Sequence, residues 1–249
     1  MKTIAIVQAR TGSTRLPSKV MRPVCGTPLI GLLLSRLQRA RRLDGILVAT
    51  TDVPSDDGLA AYVRSAGVEV FRGSENDVLD RYCQATRMTG ADAIVRITAD
   101  CPLIDPEVVD LVVNRFESAQ ADYASNTAPP TFPDGLDVEV FSASTLEAAW
   151  RDADRNEQRE HVTLFMRESG RFATVNVASA EDWSGERWTV DRPEDLEVVC
   201  RVFEHFHPRR DFGWLEVLAL RRAHPDWFEA NRHIIRNEAL QQANKTSHA

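Results

Sequence analysis

The chain has 249 residues, enough for one large α/β domain or two small ones with a buried core that needs no disulfides or metals. Its formal net charge is −7 and its isoelectric point is about 5.4, which argues against nucleic acid as the main partner. No apolar run is long enough to cross a membrane, and because a strand begins directly at the N-terminus we expect no signal peptide.

Apolar runs predict four strands in the first hundred residues, at 3–9, 46–50, 68–71 and 93–98. Helical patterns separate them. The first has an apolar face made of Leu29, Ile30, Leu33, Leu34 and Leu37, and two more follow at 55–66 and 76–89. Strands that alternate with helices imply right-handed crossovers and a parallel sheet, so we predict an α/β fold.

The second half is less regular. Asp105 and Pro106 are typical of a helix start and predict a helix at 106–119. A loop at 126–136 follows. We then predict strands at 137–141, 172–177 and 187–190, and helices at 142–154, 160–168 and 193–206. The last forty residues predict two amphipathic helices that carry Trp214, Trp227 and Phe228, with a frayed end at 244–249. We interpret 1–249 as a single domain in which 207–249 is a C-terminal helical extension.

Four cysteines are widely spaced and form no C-x-x-C pair: Cys25, Cys83, Cys101 and Cys200. This pattern is typical of a reducing compartment and predicts a cytoplasmic protein without structural zinc.

The loop after the first strand, residues 9–19, concentrates positive charge in an acidic protein. It holds Arg10, Arg15 and Lys19 together with Gly12 and several small hydroxyl residues, of which Ser13 is one. A loop at the carboxyl end of a first parallel strand is where α/β proteins bind ligands, and this composition suits a polyphosphate. The spacing matches neither a Walker loop nor G-x-G-x-x-G. The alternative is that these are ordinary surface cations.

Two aspartates each follow a predicted strand and precede a chain reversal: Asp100 and Asp191. Carboxylates that converge from separate strand ends make an oxygen-rich site for Mg²⁺. The alternative is that Asp191 caps the helix beginning at Pro193 and that Asp100 supports a turn.

Three further segments carry polar side chains. The segment from Arg72 to Asp77, which includes Ser74, follows the third strand and suits a base or ribose, or else Ser74 or Asn76 caps the next helix. Thr51 and Asp52 end the second strand and have the same two interpretations. The acidic loop from Asn126 to Glu139 suits acceptor hydroxyls, or forms a hairpin turn at Asp134-Gly135. The triplet Arg159-Glu160-His161 is typical of a solvated helix face.

These motifs together resemble the cytidylyltransferase family that makes CMP-activated sugar acids. The loop A-R-T-G-S-T-R-L-P is similar to that of 3-deoxy-manno-octulosonate cytidylyltransferases. The order of V-A-T-T-D, D-V-L-D-R-Y, R-I-T-A-D-C-P-L-I-D, Y-A-S-N, F-P-D-G-L-D-V-E-V-F, R-E-H-V-T and W-T-V-D-x-P-E-D-L resembles the branch represented by the spore coat polysaccharide biosynthesis protein F. A tail with Asn231, Ile234 and Arg236 also recurs in that branch.

The resemblance implies a Rossmann-like, glycosyltransferase-A-like fold with a mostly parallel sheet and flanking helices, and a homodimer. It implies CTP, Mg²⁺, a small acidic acceptor and release of pyrophosphate. The implied catalytic residues are Arg10, Arg15, Lys19 and Asp100, and the metal ligands are Asp100 and Asp191. The implied nucleotide site adds Ala9, Gly12, Ser13, Thr51, Arg72, Ser74 and Asp77. The implied acceptor site contains Asn126, Asp134, Asp137, Glu139, Arg159 and His161.

One departure concerns the loop, since Ser18 stands where the family usually has glycine, and we expect its backbone to avoid strongly positive φ. Three alternatives stay open for the function. The first is transfer to a phosphonate or sugar phosphate instead of a sugar acid. The second is a nucleotide-sugar glycosyltransferase, against which the missing D-x-D around Asp100 counts. The third is a non-catalytic nucleotide-binding module.

Overall fold

The structure of the protein is a computed structural model, of which residues 1–236 are described. Among these residues a seven-stranded sheet has the order β5-β4-β1-β6-β8-β7-β9. Its strands are β1 (Thr3–Gln8), β4 (Gly45–Thr51), β5 (Glu69–Gly73), β6 (Ala93–Thr98), β7 (Tyr123–Ser125), β8 (Glu139–Ser142) and β9 (Thr174–Asn176). A small hairpin of β2 (Pro23–Val24) and β3 (Thr27–Pro28) lies apart from the sheet.

The helices flank the sheet on both faces. They are α1 (Leu29–Leu37), α2 (Asp57–Ser65), α3 (Val78–Thr89), α4 (Pro106–Ala119), α5 (Ala143–Asp152), α6 (Asn156–Glu160), α7 (Leu164–Glu168), α8 (Pro193–Phe206) and α9 (Trp214–Ala223). Short 3-10 turns occur at Lys19–Met21, Pro54–Asp56 and Pro225–Phe228. In this part of the chain no helix is both long and apolar enough to cross a membrane.

Two hydrophobic cores explain the continuous apolar run of β1. Ile4 and Ile6 pack into a core with α3 and α5, whereas Ala5 and Val7 pack into the larger core with α1 and α4. A strand buried on both faces reads as apolar throughout, as parallel strands do. The predicted α/β fold with a mostly parallel sheet and flanking helices is therefore confirmed.

The sheet places the loops that carry predicted site residues at one edge. β4, β1 and β6 pair in parallel, so the loops after Gln8, Thr51 and Thr98 leave at the same side. β8 pairs antiparallel with β6, with Arg96 opposite Glu139, so the beginning of β8 lies at that edge as well. The antiparallel neighbours β7 and β8 are joined by the long connection 126–138. Asp134 and Gly135 do form a turn, since Leu136 N donates to Pro133 O at 3.1 Å, but this turn lies within the long connection and does not join the two strands directly.

The prediction of a strand at 187–190 is wrong. Within these residues only Arg187 forms an isolated bridge, to Asp134. The segment bonds to loops instead: Trp188 N donates to Asp134 O at 2.6 Å, and Val190 N donates to Asp100 O at 2.8 Å. Gly135 permits this approach, since a Cβ there would lie 2.7 Å from Thr189 N.

Two helix predictions also need correction. The helix predicted at 160–168 is divided into α6 and α7, and between them Val162 has a φ of +34°. The second C-terminal helix is the 3-10 turn Pro225–Phe228, which Pro225 begins. The prediction of a frayed end at 244–249 lies outside the described residues.

Candidate functional site

The loop from Ala9 to Lys19 folds back on itself at the end of β1. Ala9 N donates to Ala49 O at 3.2 Å, and Ser18 N donates to Thr11 O at 3.1 Å, so Thr11 and Ser18 close the loop. Thr11 is held by Asp56, whose carboxylate accepts from Thr11 N at 2.8 Å and from its hydroxyl at 2.6 Å. The loop is therefore a fixed scaffold that presents Lys19 at its base.

We expected the backbone of Ser18 to avoid strongly positive φ, and this expectation is wrong. Its φ is 54° and its ψ is 29°, in the left-handed helical region, directly before the 3-10 turn that begins at Lys19. This backbone geometry is one that glycine adopts without a steric penalty. The family's usual glycine therefore fits the local backbone better than the serine of this chain.

Lys19 joins the two aspartates that the sequence singled out. Its Nζ lies 2.8 Å from Asp100 Oδ2 and 2.7 Å from Asp191 Oδ1, and Arg15 adds a contact of 3.1 Å to the same Asp191 oxygen. Burial opposes charge on Lys19, but the two carboxylates raise its pKa. Burial likewise opposes charge on Asp100, yet Lys19 lowers its pKa to about 2. Residues far apart in sequence thus form one charged cluster.

The Asp100–Asp191 pair fits a divalent cation. Both carboxylates already direct an oxygen at one positive atom, Lys19 Nζ. Within residues 1–236 no set of three or more His, Cys, Asp or Glu side chains is placed to hold a metal. Magnesium typically takes one or two carboxylates and completes its shell with water and substrate phosphates, so a two-carboxylate site suits it.

Arg187 connects this cluster to the connection 126–138, and the sequence interpretation did not identify it. The guanidinium lies 2.8 Å from Asp134, 3.4 Å from Asp191 and 2.8 Å from the buried Asp195. Burial opposes its charge, but these carboxylates raise its pKa. Only the tertiary structure brings these residues together, since they come from separate loops and a helix.

The residues predicted for the nucleotide base lie near the beginning of the loop 9–19, where Arg10 and Gly12 are, whereas Lys19 lies at its end. Arg10 lies 3.6 Å from Glu75, which is also 3.7 Å from a Cβ built on Gly12. Arg72 donates to the carbonyls of Thr51 and Val53, each at 2.9 Å. Thr51 itself is buried, and its hydroxyl donates to Asp56.

Ser74, Asp77 and Arg159 make local structural contacts. Ser74 Oγ accepts from Asp77 N at 3.1 Å, and Asp77 caps α3 by accepting from Asp80 N at 2.9 Å. Arg159 pairs with Asp77, at 3.0 Å from Nε to Oδ2, and donates to Trp150 O. This pair contributes to fixing α6 against α3.

A cavity of about 370 Å³ lies beside the Lys19 cluster. Its lining includes Asp134, Asp137, Glu139 and His161, which the sequence predicted for the acceptor, together with Arg15, Asp100 and Asp191. Asn126 is fully buried and braces the loop instead, because it donates to Leu136 O at 2.8 Å and accepts from Val138 N at 2.9 Å. Burial lowers the pKa of His161.

The three cavity carboxylates at 134, 137 and 139 each pair with an arginine. The pairs are Asp134–Arg187, Asp137–Arg236 and Glu139–Arg96. Burial raises the pKa of Asp134 to about 7, with the charge of Asp137 as the next cause. Burial also raises the pKa of Asp137. For Glu139, burial acts in the same direction but Arg96, Tyr123 and Thr163 outweigh it and lower the pKa.

Comparison with known proteins identifies the family. Residues 4–243 match the family model described as cytidylyltransferase. The chain belongs to the cytidylyltransferase family. It is therefore an enzyme of the nucleotidyltransferase class, as the sequence motifs predicted.

Individual relatives agree with this assignment. The spore coat polysaccharide biosynthesis protein SpsF of Bacillus subtilis is 33% identical over 229 residues, which cover 89% of this chain and 94% of SpsF. A cytidylyltransferase structure from Leptospira borgpetersenii is 33% identical with a TM-score of 0.89, and the match covers 95% of this chain and 100% of that one. A 3-deoxy-manno-octulosonate cytidylyltransferase of Anaeromyxobacter is 35% identical over 121 residues, covering 47% of this chain and 48% of its own.

Proposed function

We propose that this cytidylyltransferase transfers CMP from CTP to a hydroxyl or acidic group of a sugar acid and releases pyrophosphate. The observation that carries the proposal is the Lys19 cluster, in which one ammonium and Arg15 face two carboxylates at the mouth of a polar cavity. The similarity to a 3-deoxy-manno-octulosonate cytidylyltransferase supports a sugar acid as acceptor, and the similarity to SpsF supports a place in polysaccharide synthesis.

The chemistry is a direct displacement in which an acceptor oxygen attacks the α-phosphorus. A new P–O bond forms, the bond to the pyrophosphate oxygen breaks, and the acceptor proton leaves to solvent or a nearby carboxylate. Among the predicted site residues, Arg10 and Arg15 lie on the loop with guanidinium groups that suit phosphate oxygens. Lys19 would exchange a carboxylate contact for a phosphate oxygen. These fixed charges stabilise the negative charge that develops on the leaving group.

Asp100 and Asp191 are the residues that would hold Mg²⁺. When bound, the ion neutralises phosphate charge and holds the α-phosphorus for in-line attack. Lys19 holds both carboxylates directed at one position before any ligand arrives.

Calorimetric binding of CTP, UTP, ATP and GTP with Mg²⁺ tests the nucleotide first. Preference for CTP, followed by pyrophosphate release with a sugar acid, supports the proposal. Release only with a phosphonate or sugar phosphate would replace the acceptor class, and preference for another nucleotide would overturn the use of CTP. The resemblance also implies a homodimer, which sedimentation velocity measures directly.

A further inference from the structure

The tail motif Asn231-x-x-Ile234-x-Arg236 lies across the acceptor cavity. We call residues 231–236 the terminal strap. Asn231 is buried, and its amide donates to Arg187 O at 3.0 Å and to Asp195 Oδ1 at 2.9 Å. Ile234 and Ile235 line the cavity. The strap is thus anchored in the network of Arg187 and lies over the predicted acceptor site.

The guanidinium of Arg236 connects the strap to the connection 126–138. It pairs with Asp137, donates to Phe132 O at 3.1 Å and lies 3.9 Å from Asp134 Oδ1. Its side chain is 13% exposed, compared with 64% for Arg232 on the same strap. Arg236 is therefore part of the cavity, whereas Arg232 belongs to the surface and pairs with Glu229.

The charges of the cavity explain why this position matters. Besides Asp100 and Asp191, the cavity lining contains Asp134, Asp137 and Glu139. These three carboxylates would repel an anionic acceptor, and the repulsion grows where water is excluded. Arg187 and Arg96 neutralise Asp134 and Glu139 from within the body of the protein. Only Asp137 relies on the strap for its closest cation. Burial raises the pKa of Asp137, and the foremost influence opposing that shift is Arg236.

We propose that Arg236 is a specificity-determining residue, which neutralises Asp137 so that the cavity admits an anionic sugar acid. This inference rests on the proposed function, because it takes the cavity as the acceptor site. If Arg236 only held the strap in place, its substitution would change the free energy of unfolding and leave acceptor binding unchanged. A specificity residue alters acceptor binding in a way that depends on the charge of Asp137.

The test compares the wild type with Arg236→Gln, Asp137→Asn, the double variant and Arg232→Gln as the matched control. Each full-length protein is loaded with Mg²⁺ and a CTP analogue that carries a methylene group between the α- and β-phosphorus atoms and cannot react. Calorimetry then measures binding of 3-deoxy-manno-octulosonate, N-acetylneuraminate and glucuronate. A separate assay measures pyrophosphate release with CTP.

We expect Arg236→Gln to weaken sugar-acid binding by about tenfold or more, because truncating one member of a buried charge pair leaves the other uncompensated. Adding Asp137→Asn restores most of the affinity, and Arg232→Gln changes nothing. Binding of the CTP analogue stays within about twofold in every variant, because the strap contacts the acceptor side. A further variant, Arg236→Lys, keeps the positive charge and should retain most of the affinity for the sugar acid.

The outcomes separate this inference from the proposed function. Equal sugar-acid affinity in the wild type and Arg236→Gln overturns the inference, as does a loss that Asp137→Asn does not rescue. Failure of the wild type to bind any of the three acids also overturns it. If binding follows the expected pattern but CTP yields no pyrophosphate, the inference stands and the proposed reaction falls.

Discussion

Ser18 is a strained backbone position in the loop 9–19. A left-handed conformation costs a residue with a Cβ about 1 to 2 kcal/mol, and Ser18 has a φ of 54°. Glycine removes that cost but loses more chain entropy on folding, about 0.5 to 1 kcal/mol. We therefore expect Ser18→Gly to raise the free energy of unfolding by about 0.5 to 1 kcal/mol, measured by urea titration.

Ser13→Gly is the control for this prediction. Ser13 lies in the same loop, is absent from the residues with positive φ, and its Oγ accepts from Leu16 N at 3.4 Å. Glycine at this position loses entropy without relieving strain, so the protein should become slightly less stable. A loss of stability in Ser18→Gly would contradict the account of strain at that residue.

Asp100 should be indispensable for turnover but not for folding. Asp100→Asn keeps the side-chain shape and removes the charge that a divalent cation needs, so Mg²⁺-dependent turnover should fall by at least about 100-fold. The melting temperature should change by no more than about 3 °C, because the site is at a rim of the sheet. Pyrophosphate release and calorimetry measure the two effects. Asp154→Asn, at an exposed position, is the control, and full activity in Asp100→Asn would remove Asp100 from the mechanism.

At the scale of elements, Asp56 links the loop 9–19 to the end of β4. Its carboxylate accepts from the hydroxyls of Thr11, Thr50 and Thr51 and from Thr11 N. Burial opposes its charge, but these donors lower its pKa below the ordinary 3.8. Asp56→Asn removes charge-assisted bonds and should reduce the free energy of unfolding by about 2 kcal/mol at pH 7.

The pH dependence of that difference has a definite sign. Because the folded-state pKa of Asp56 is lowered, its contribution is complete above the unfolded value near 3.8 and disappears as the pH falls through the folded value. Urea titrations of the wild type and Asp56→Asn should therefore converge below about pH 4. Asp52→Asn, at a neighbouring exposed position, is the control and should change the free energy of unfolding at pH 7 by no more than about 0.5 kcal/mol. A difference that stays constant down to the lowest pH would refute the role of the ionised carboxylate.

Long apolar elements were predictable from local sequence. The strand at 93–98 and the helices at 106–119 and 193–206 occur with those bounds, and Asp105 caps α4 by accepting from Glu107 N at 2.8 Å. β7 was missed because three residues carry too little periodicity. The strand at 187–190 was predicted wrongly because its apolar residues are buried as in a strand, but its backbone bonds to loops instead of a neighbouring strand.

Some residues of the candidate site could be predicted from the sequence and others could not. Lys19, Asp100 and Asp191 were identifiable because each lies next to a strand end or in a loop of marked composition. Arg187 and Arg236 were not identified as site residues, because their importance comes from partners that are distant in sequence. Pairing of an arginine with a particular carboxylate follows from the tertiary structure, which short-range patterns do not encode.

At the scale of the whole molecule, the C-terminal segment is packed into the larger core. Phe212 is fully buried, stacks on Phe206 at 4.2 Å between ring centroids and lies under the guanidinium of Arg36 at 4.4 Å. Arg36 also donates to Phe212 O at 3.0 Å, which ties α1 to the segment that precedes α9. These contacts fix the segment around Phe212 against α1 and α8, and that 1–249 is one domain with 207–249 as an extension stays a prediction.

Phe212→Ala tests this interpretation. Loss of a buried phenylalanine should reduce the free energy of unfolding by about 3 to 5 kcal/mol. If the protein is one cooperative unit, calorimetry shows a single transition for both proteins, with equal calorimetric and van't Hoff enthalpies. Hydrogen exchange should then accelerate by the same factor in α9 and in β6, although β6 lies in the sheet. Faster exchange confined to α9, or a second transition, would show instead that the extension unfolds separately, because only a shared unfolding event transmits the lost contact to both elements.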